Sequence, residues 1–252
     1  MRSPREKLEA MAGPAPVALA WLGLPSPAAA SIAAGAGFAA AVIDREHGTI
    51  GVESAAAMIM ALRAEGAAAL VRVPELSKGA VQHALDAGAA GIVVPQVESV
   101  EEARMAARAV YYAPQGSRGA AAAVIAATGY GRDPGYLAEW NARGLLAVQI
   151  ESREGLARVD EIAAVEGVDM LFFGPFDYAQ DAGLDPSADA PALAEVFARI
   201  VEAARGADCL AGVFPWPGIG GEALSDMGAD AIARASDIAV LRQGMSAALG
   251  HH

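Results

Sequence analysis

Lysine and histidine are scarce in this chain of 252 residues. Its only lysines are Lys7 and Lys78, and its only histidines before the C-terminal pair are His47 and His83. An enzyme that acts on carbonyl compounds needs an electron sink, and here a divalent metal held by carboxylates fits better than a lysine Schiff base. A zinc centre with three histidine ligands cannot be assembled from two histidines.

The chain also lacks a cysteine pair, a basic run and a long apolar segment. The lone Cys209 excludes an internal disulfide framework. A formal net charge of −12 and a pI near 4.7 argue against binding to nucleic acid or anionic membranes, so the expected partners are small molecules or proteins. No apolar run reaches the roughly 18 residues of a membrane span, and residues 1–12 contain no signal-peptide-like apolar region. These absences predict a cytoplasmic protein.

Hydrophobic residues make up 54% of the chain, with alanine the most frequent of them, whereas aromatic residues make up 6%. This composition supplies ample apolar surface for one core, and the length suits one domain. We therefore expect a single domain over residues 1–252, with residues 1–14 as an N-terminal arm and residues 251–252 as a tag remnant. Surplus alanine-rich surface also suits a subunit interface.

Several segments repeat one order of elements: a helix, a glycine-containing turn, a short apolar strand and then a polar residue. They are residues 34–44, 86–95, 165–174 and 227–234. Glycine in this position is typical of a helix end before a buried parallel strand. Four more apolar runs complete a set of eight predicted strands, at residues 17–23, 68–74, 145–151 and 209–215.

Helix-like stretches fill most of the gaps between these strands, at residues 53–65, 77–87, 99–109, 153–163 and 189–205. Strands and helices that alternate in this way predict an α/β fold, the (β/α)8 TIM barrel. A doubly wound sheet remains the alternative, although no glycine-rich dinucleotide fingerprint follows the first strand. Residues 111–143 exceed what one helix requires, which predicts a lid or an excursion after the fourth strand.

Residues able to do chemistry follow the predicted strands. In a barrel the loops after the strands converge on one face, and on that face we expect Trp21, Asp44, His47, Arg72, Gln149, Glu151, Asp177 and Phe214. Each has an ordinary explanation when taken alone, because a strand-end aspartate often caps a helix and an arginine often forms a rim salt bridge. An acid, an arginine and a histidine at the same end of a barrel instead favour a catalytic site.

Carboxylates are the most frequent of these strand-end groups. Glu151 and Asp177 follow adjacent strands, which predicts two hard oxygen ligands for one Mg²⁺ or Mn²⁺ ion with positions left for water and a bidentate ligand. Glu46, two residues after Asp44, is a further carboxylate at a strand end. His83 lies within a predicted helix, where we expect it on the helix surface or at an interface.

Six motifs in consistent order carry a resemblance to a known family. They are D-R-E-H-G (44–48), V-R-V-P (71–74), L-D-A-G-A-A-G-I-V-V-P (85–95), A-P-Q-G-S-R-G (113–119), V-Q-I-E-S (148–152) and V-E-G-V-D-M-L-F-F-G-P-F-D (165–177). Together they resemble the metal-dependent (class II) pyruvate aldolases of the HpcH/HpaI aldolase family, typified by 4-hydroxy-2-oxoheptane-1,7-dioate aldolase and 2-dehydro-3-deoxyglucarate aldolase. The resemblance extends over about residues 15–248.

The resemblance implies an aldolase that reversibly cleaves a 4-hydroxy-2-oxoacid to pyruvate and an aldehyde. It implies that Glu151 and Asp177 hold Mg²⁺, Mn²⁺ or Co²⁺ and that Arg72 faces the keto oxygen of pyruvate. The backbone N–H groups of Phe176 and Asp177 would receive the pyruvate carboxylate, and Gln149 would line the same pocket. A barrel that exchanges its C-terminal helix with a neighbour, within a homohexamer built as a dimer of trimers, is also implied.

The resemblance further assigns proton transfer to His47, with Asp44 or Asp86 as the carboxylate that orients it. This assignment agrees with the chemistry, because removal of the 4-hydroxyl proton needs a base and His47 is the imidazole available at the predicted site. The enolate that results carries its charge on an oxygen that a metal and a guanidinium can both stabilise.

Departures from the family pattern concentrate where the aldehyde must enter. Phe214, Trp216 and Trp21 would add aromatic bulk there, and Arg45 would add a cation if its side chain turned inward rather than toward a neighbouring glutamate. These residues predict a preference for short or anionic aldehydes. Two alternatives stay open: a citrate synthase-like condensing enzyme or thioester-linked lyase of the same fold, and a non-catalytic degenerate barrel.

Overall fold

The computed structural model describes residues 2–250, and the proposed tag remnant at 251–252 lies outside the described residues. Eight parallel strands form a closed barrel in sequence order, with β8 paired to β1. The strands are β1 (Val17–Leu22), β2 (Ala40–Asp44), β3 (Ala68–Arg72), β4 (Gly91–Val94), β5 (Leu145–Ile150), β6 (Met170–Phe173), β7 (Leu210–Val213) and β8 (Ala231–Ser236). The predicted (β/α)8 barrel is confirmed, and the doubly wound alternative is excluded because the sheet closes.

Helices separate the strands and cover the outside of the barrel. They are α1 (Pro4–Ala12), α2 (Pro27–Gly35), α3 (Val52–Ala64), α4 (Lys78–Ala87), α5 (Val100–Val110), α6 (Tyr136–Arg143), α7 (Arg153–Ala157), α8 (Val159–Ala163), α9 (Pro175–Ala182), α10 (Ala190–Gly206), α11 (Gly221–Asp226) and α12 (Asp237–Ala248). The helix predicted at 153–163 is divided into α7 and α8, and the excursion at 111–143 contains a 3₁₀ turn at Ala126–Thr128 and α6. None of the helices within residues 2–250 is long and apolar enough to cross a membrane.

Side chains alternate between the two faces of each strand, so they divide into an outer and an inner layer. The outer layer packs under the helices, whereas Leu19, Val42 and Leu70 belong to a separate cluster within the barrel. Two residues further along β2 and β3, the same alternation puts Asp44 and Arg72 at the carboxyl end of the interior. Every second residue of a strand thus faces the barrel interior, where a polar layer lies above an apolar one.

Three aromatic rings separate this polar layer from the interior below it. The ring of Trp21 lies 5.6 Å from that of Phe172 and 4.2 Å from that of Phe214. Gly212 makes room for them, since a Cβ there would collide with the Phe172 ring. The aromatic layer formed by these three rings gives the site a rigid floor.

A buried ion pair attaches α1 to the amino end of the barrel. The Lys7 side chain is 1% exposed and its Nζ donates to Asp169 Oδ1 at 2.8 Å. The other oxygen of Asp169 accepts from the Tyr111 hydroxyl at 2.6 Å and from the Leu146 backbone N–H at 2.8 Å. Because every charge in this cluster has a partner, these contacts offset the desolvation penalty of its burial.

Lys7→Ala should destabilise the protein by about 3–5 kcal/mol, since it leaves the Asp169 carboxylate buried without its cation. Lys78→Ala is the matched control: Lys78 is exposed and pairs with no carboxylate among the described residues, so its loss should change stability by less than about 0.5 kcal/mol. Urea denaturation followed by circular dichroism at fixed protein concentration measures both. Equal stability of the two variants would show that the Lys7–Asp169 ion pair does not stabilise the fold.

Candidate active site

Arg72 is the centre of a hydrogen-bond network at the carboxyl end of the barrel. It is 5% exposed and its residue position is in register with Asp44 on the neighbouring strand. Arg72 Nε donates to Asp44 Oδ1 at 2.9 Å and Arg72 Nη2 donates to Asp44 Oδ2 at 2.6 Å. The guanidinium also lies over the Trp21 ring, 5.0 Å from its centroid. A bidentate pair of this kind fixes the plane of the guanidinium.

Asp44 accepts more hydrogen bonds than those from Arg72. Its Oδ2 accepts from Trp21 Nε1 at 3.2 Å, and its Oδ1 accepts from the backbone N–H groups of Glu46 at 3.0 Å and His47 at 3.4 Å. Burial tends to raise the pKa of Asp44, but the hydrogen bonds and charge of Arg72 outweigh burial and lower that pKa. Asp44 is therefore an ionised anchor for Arg72 and for the loop that carries His47.

Gln149 links Arg72 to Glu151. Arg72 Nη1 donates to Gln149 Oε1 at 3.3 Å, and Gln149 Nε2 donates to Glu151 Oε2 at 2.7 Å. The other oxygen of Glu151 accepts from the Gln96 backbone N–H at 2.8 Å. Gly174 permits this arrangement, since a Cβ at that position would collide with the Glu151 carboxylate.

Glu151 is 4% exposed, and the charge of its carboxylate is poorly compensated. The pKa of Glu151 is raised to about 8. Burial is the main cause, and the charges of Asp177 and Glu46 act in the same direction, while the Gln96 N–H and Arg72 act to lower that pKa. Hard oxygen donors whose ionisation is opposed by neighbouring carboxylates suit a divalent cation. Within residues 2–250, no three His, Cys, Asp or Glu side chains form a metal-binding cluster. Asp177 is near enough to oppose the ionisation of Glu151, so these two carboxylates suit an ion that completes its coordination with water or substrate.

A cavity of about 240 Å³ opens above Arg72 and Gln149. Other residues that line it include His47, Phe176, Asp177 and Phe214. α9 begins at the edge of this cavity without a side-chain cap, and the N–H groups of Phe176 and Asp177 have no backbone acceptor among the described residues. Free N–H groups at a helix N-terminus suit a carboxylate ligand.

The structure thus brings together most of the residues singled out in the sequence. Asp44 and Glu151 lie directly behind the cavity wall, hydrogen-bonded to Arg72 and Gln149 respectively. Asp86 does not join them: on α4 it accepts a hydrogen bond from Arg118 Nη2 at 2.8 Å. His83, as expected, is exposed on the same helix.

Two of the aromatic residues expected near the aldehyde lie elsewhere. Trp21 is 5% exposed and does not line the cavity, because it points into the barrel and supports Arg72 and Asp44 from below. Trp216 is 3% exposed, since it packs between barrel and helices with its ring 5.9 Å from that of Phe173. Arg45 also stays outside the cavity, because its Nε donates to the Ile50 carbonyl of its own loop at 3.2 Å. Phe214 lines the cavity as expected.

Sequence reasoning gave no role to three residues that shape this site. They are Glu46, Gln96 and Gly174, which contact Arg72, Glu151 and Gln149. Glu46 was visible as a strand-end carboxylate. The hydrogen bond from the Gln96 backbone could not be predicted, because Gln96 has a positive φ of 52° that its residue type does not indicate.

Known proteins resemble this chain in sequence and in fold. A hydroxypyruvate/pyruvate aldolase from Roseovarius nubinhibens is 36% identical over 88% of this chain and 87% of the relative. A 4-hydroxy-2-oxovalerate aldolase from Novosphingobium aromaticivorans is 37% identical over 83% of this chain and 82% of the relative. The crystal structure of an HpcH/HpaI aldolase/citrate lyase family protein from Burkholderia cenocepacia J2315 superposes with a TM-score of 0.87 and 31% identity, covering 97% of each chain.

The family model for HpcH/HpaI aldolase/citrate lyase matches residues 18–250. This match covers most of the chain, so the chain belongs to the HpcH/HpaI aldolase/citrate lyase family.

Proposed function

We propose that the chain is a divalent-metal-dependent aldolase that reversibly cleaves a 4-hydroxy-2-oxoacid to pyruvate and an aldehyde. The observation that carries this proposal is the placement of Arg72, two carboxylates and a free helix N-terminus around one cavity. The names of the related aldolases support the same reaction class.

The N-terminus of α9 would bind the carboxylate of pyruvate through the N–H groups of Phe176 and Asp177. Arg72 would then face the keto oxygen, with its plane already fixed by Asp44 and its stem buried. A donor that is oriented before the reaction stabilises a developing enolate oxygen without reorganisation. A divalent cation held by Glu151 and Asp177 would supply further positive charge for that oxygen.

His47 would accept the proton of the 4-hydroxyl group during cleavage. It lines the cavity, yet its side chain is 61% exposed, so it can exchange its proton with solvent. In the direction of synthesis the same imidazole would remove a methyl proton of pyruvate.

The positions of the lysines support a mechanism without a Schiff base. Lys7 is buried beneath the barrel with Asp169, and Lys78 is exposed at the start of α4. Neither lines the cavity at Arg72. A covalent adduct with pyruvate is therefore not expected after borohydride treatment.

We also propose that α12 is exchanged between subunits. No residue of this helix is buried, and Val240, Leu241 and Met245 are each about half or more exposed. A predominantly apolar cavity of about 400 Å³ lies between α12 and α2. A helix and a groove of this kind would both gain from a neighbouring copy. The hexamer, the choice among Mg²⁺, Mn²⁺ and Co²⁺, and the cytoplasmic location remain predictions.

Arg72→Ala should lower both aldol cleavage and oxaloacetate decarboxylation by about 10²- to 10³-fold, because both reactions form the same enolate. Arg45→Ala, outside the cavity, should stay near wild type in both. Coupled detection of pyruvate measures these rates. Wild-type rates in Arg72→Ala would show that Arg72 is not part of the site. A wild-type protein that consumes an acyl thioester instead of releasing pyruvate would favour the condensing enzyme. A wild-type protein that is inactive in every assay would favour the non-catalytic barrel.

Binding of Mn²⁺ should tighten with pH. Below about pH 8 the Glu151 carboxyl is protonated in the metal-free protein, so the ion must displace that proton, and its affinity should rise about tenfold per pH unit from pH 6 and level off above pH 8. Titration followed by electron paramagnetic resonance measures the dissociation constant. Glu151→Gln removes both a ligand and the titrating group, so it should bind Mn²⁺ more weakly and without this pH dependence. A constant affinity between pH 6 and pH 8 would show that Glu151 is already ionised.

The aldehyde should be selected by the phenyl groups at the cavity and not by Arg45. Phe176 is 50% exposed at the cavity and Phe214 is partly buried beside it. Phe176→Ala or Phe214→Ala should raise kcat/KM for bulky aldehydes relative to glycolaldehyde, because loss of either phenyl ring enlarges the cavity. Arg45→Gly should leave the ranking unchanged. A loss of anionic acceptors in Arg45→Gly alone would instead restore the role that the sequence suggested.

A further inference from the structure

Glu46 is a buried carboxylate between the two chemical halves of the site. Its side chain is 9% exposed and follows β2, two residues beyond Asp44. Its Oε2 forms an ion pair with Arg72 Nη1 at 2.7 Å, and the same oxygen lies 3.8 Å from His47 Nε2. Thus one oxygen atom faces both the guanidinium and the imidazole.

This oxygen has an unused capacity to accept a hydrogen bond. Arg72 Nη1 directs its hydrogen bond at Gln149 Oε1, and Glu46 Oε2 accepts none from any residue in 2–250. A buried carboxylate oxygen without a donor is costly. The imidazole of His47 is the neighbouring side chain that can supply one, since a distance of 3.8 Å closes with a small rotation of an exposed ring. Catalytic hydrogen bonds are often long in structures without substrate and shorten when it binds.

Asp44 is not available for the same task. Both of its oxygens accept hydrogen bonds from Arg72, and its contact with His47 is to the backbone N–H and not to the imidazole. Asp86 is paired with Arg118. Within residues 2–250 of one chain, neither Asp44 nor Asp86 forms a hydrogen bond or ion pair with the His47 imidazole.

Gln96 holds Glu46 in place from the opposite side. Its Nε2 donates to Glu46 Oε1 at 3.4 Å, while its backbone N–H donates to Glu151. The two oxygens of Glu46 are thus assigned to different neighbours: Oε1 to Gln96, and Oε2 to Arg72 and His47.

We propose that Glu46 is the positioning residue for His47: its Oε2 accepts the Nε2–H of the imidazole, so that Nδ1 is left as the proton acceptor. A carboxylate behind a histidine orients the ring and stabilises the imidazolium that forms when the proton is taken up. The proposal rests on the proposed aldolase function, and it assigns Glu46 to proton transfer and not to stabilisation of the enolate.

Two reactions separate these assignments. Exchange of the methyl protons of pyruvate with D₂O requires a base, whereas decarboxylation of oxaloacetate forms the enolate by loss of CO₂ and needs no base to remove a proton from carbon. Proton-transfer residues typically contribute about 10²- to 10⁴-fold. Glutamine at position 46 keeps an oxygen that can accept from Arg72 but removes the charge beside the imidazole. Glu46→Gln should therefore slow exchange by about tenfold or more, measured by ¹H NMR at saturating Mg²⁺, and leave decarboxylation within about threefold of wild type.

Further variants keep the test decisive. Glu75→Gln is the matched control, because Glu75 is exposed and its side chain has no hydrogen bond or ion pair among the described residues; it should leave both rates unchanged. Adding Glu46→Gln to His47→Ala should cause no further loss of exchange, since Glu46 acts through His47. Gln96→Gly keeps the backbone N–H at a φ of 52°, which glycine adopts readily, and removes the side chain that supports Glu46. It should slow exchange selectively, and it serves as the test if Glu46→Gln does not fold.

The outcomes are distinct. Equal losses of exchange and decarboxylation in Glu46→Gln would place Glu46 with Arg72 and overturn the proposal, as would unchanged exchange or an additive loss in the double variant. A wild-type enzyme that performs neither reaction would refute the aldolase function itself, and the role of Glu46 with it.

Discussion

The burial of the Arg72 guanidinium is the constraint on which the rest of the site depends. A charged group that is 5% exposed loses most of its hydration, which costs several kcal/mol unless partners replace the water. Asp44, Glu46, Gln149 and the Trp21 ring together do so. In return the guanidinium is fixed in plane and direction in a medium of low dielectric constant, where its charge would act strongly on the oxyanion of the proposed reaction.

The barrel supplies these partners because its strands are parallel and in register. Asp44 and Arg72 end neighbouring strands at the same level, and Gln149 reaches the same layer from β5. Beneath them, the aromatic layer of Trp21, Phe172 and Phe214 fills the barrel and separates the polar groups from the apolar interior. Strand register thus places Asp44, Arg72 and Gln149, whereas the segments that follow the strands add Glu46, His47, Gln96, Glu151 and the start of α9.

Strand order and the residues at strand ends could be predicted because both follow from local patterns of apolar residues and glycine. The exact partner of each polar group could not, since it depends on contacts between residues far apart in sequence. Gln96 lies 55 positions from Glu151 and contacts it through its backbone, which leaves no trace in the residue type. Trp216 shows the converse: a large aromatic after a strand suggests a pocket, but one more turn of chain carries it under the helices.

The charges at the site leave it incomplete on its own. Asp44, Glu46, Glu151 and Asp177 surround a single buried cation, Arg72, and Asp44 takes two of its hydrogen bonds. The remaining repulsion falls mainly on Glu151, whose pKa burial and its acidic neighbours raise to about 8. Either a proton or a divalent cation can relieve that repulsion, but only the cation also leaves the carboxylate oxygens as ligands. The same excess of negative charge that raises the pKa of Glu151 also favours a hard, doubly charged ion, which suits the proposed carbonyl chemistry without a lysine.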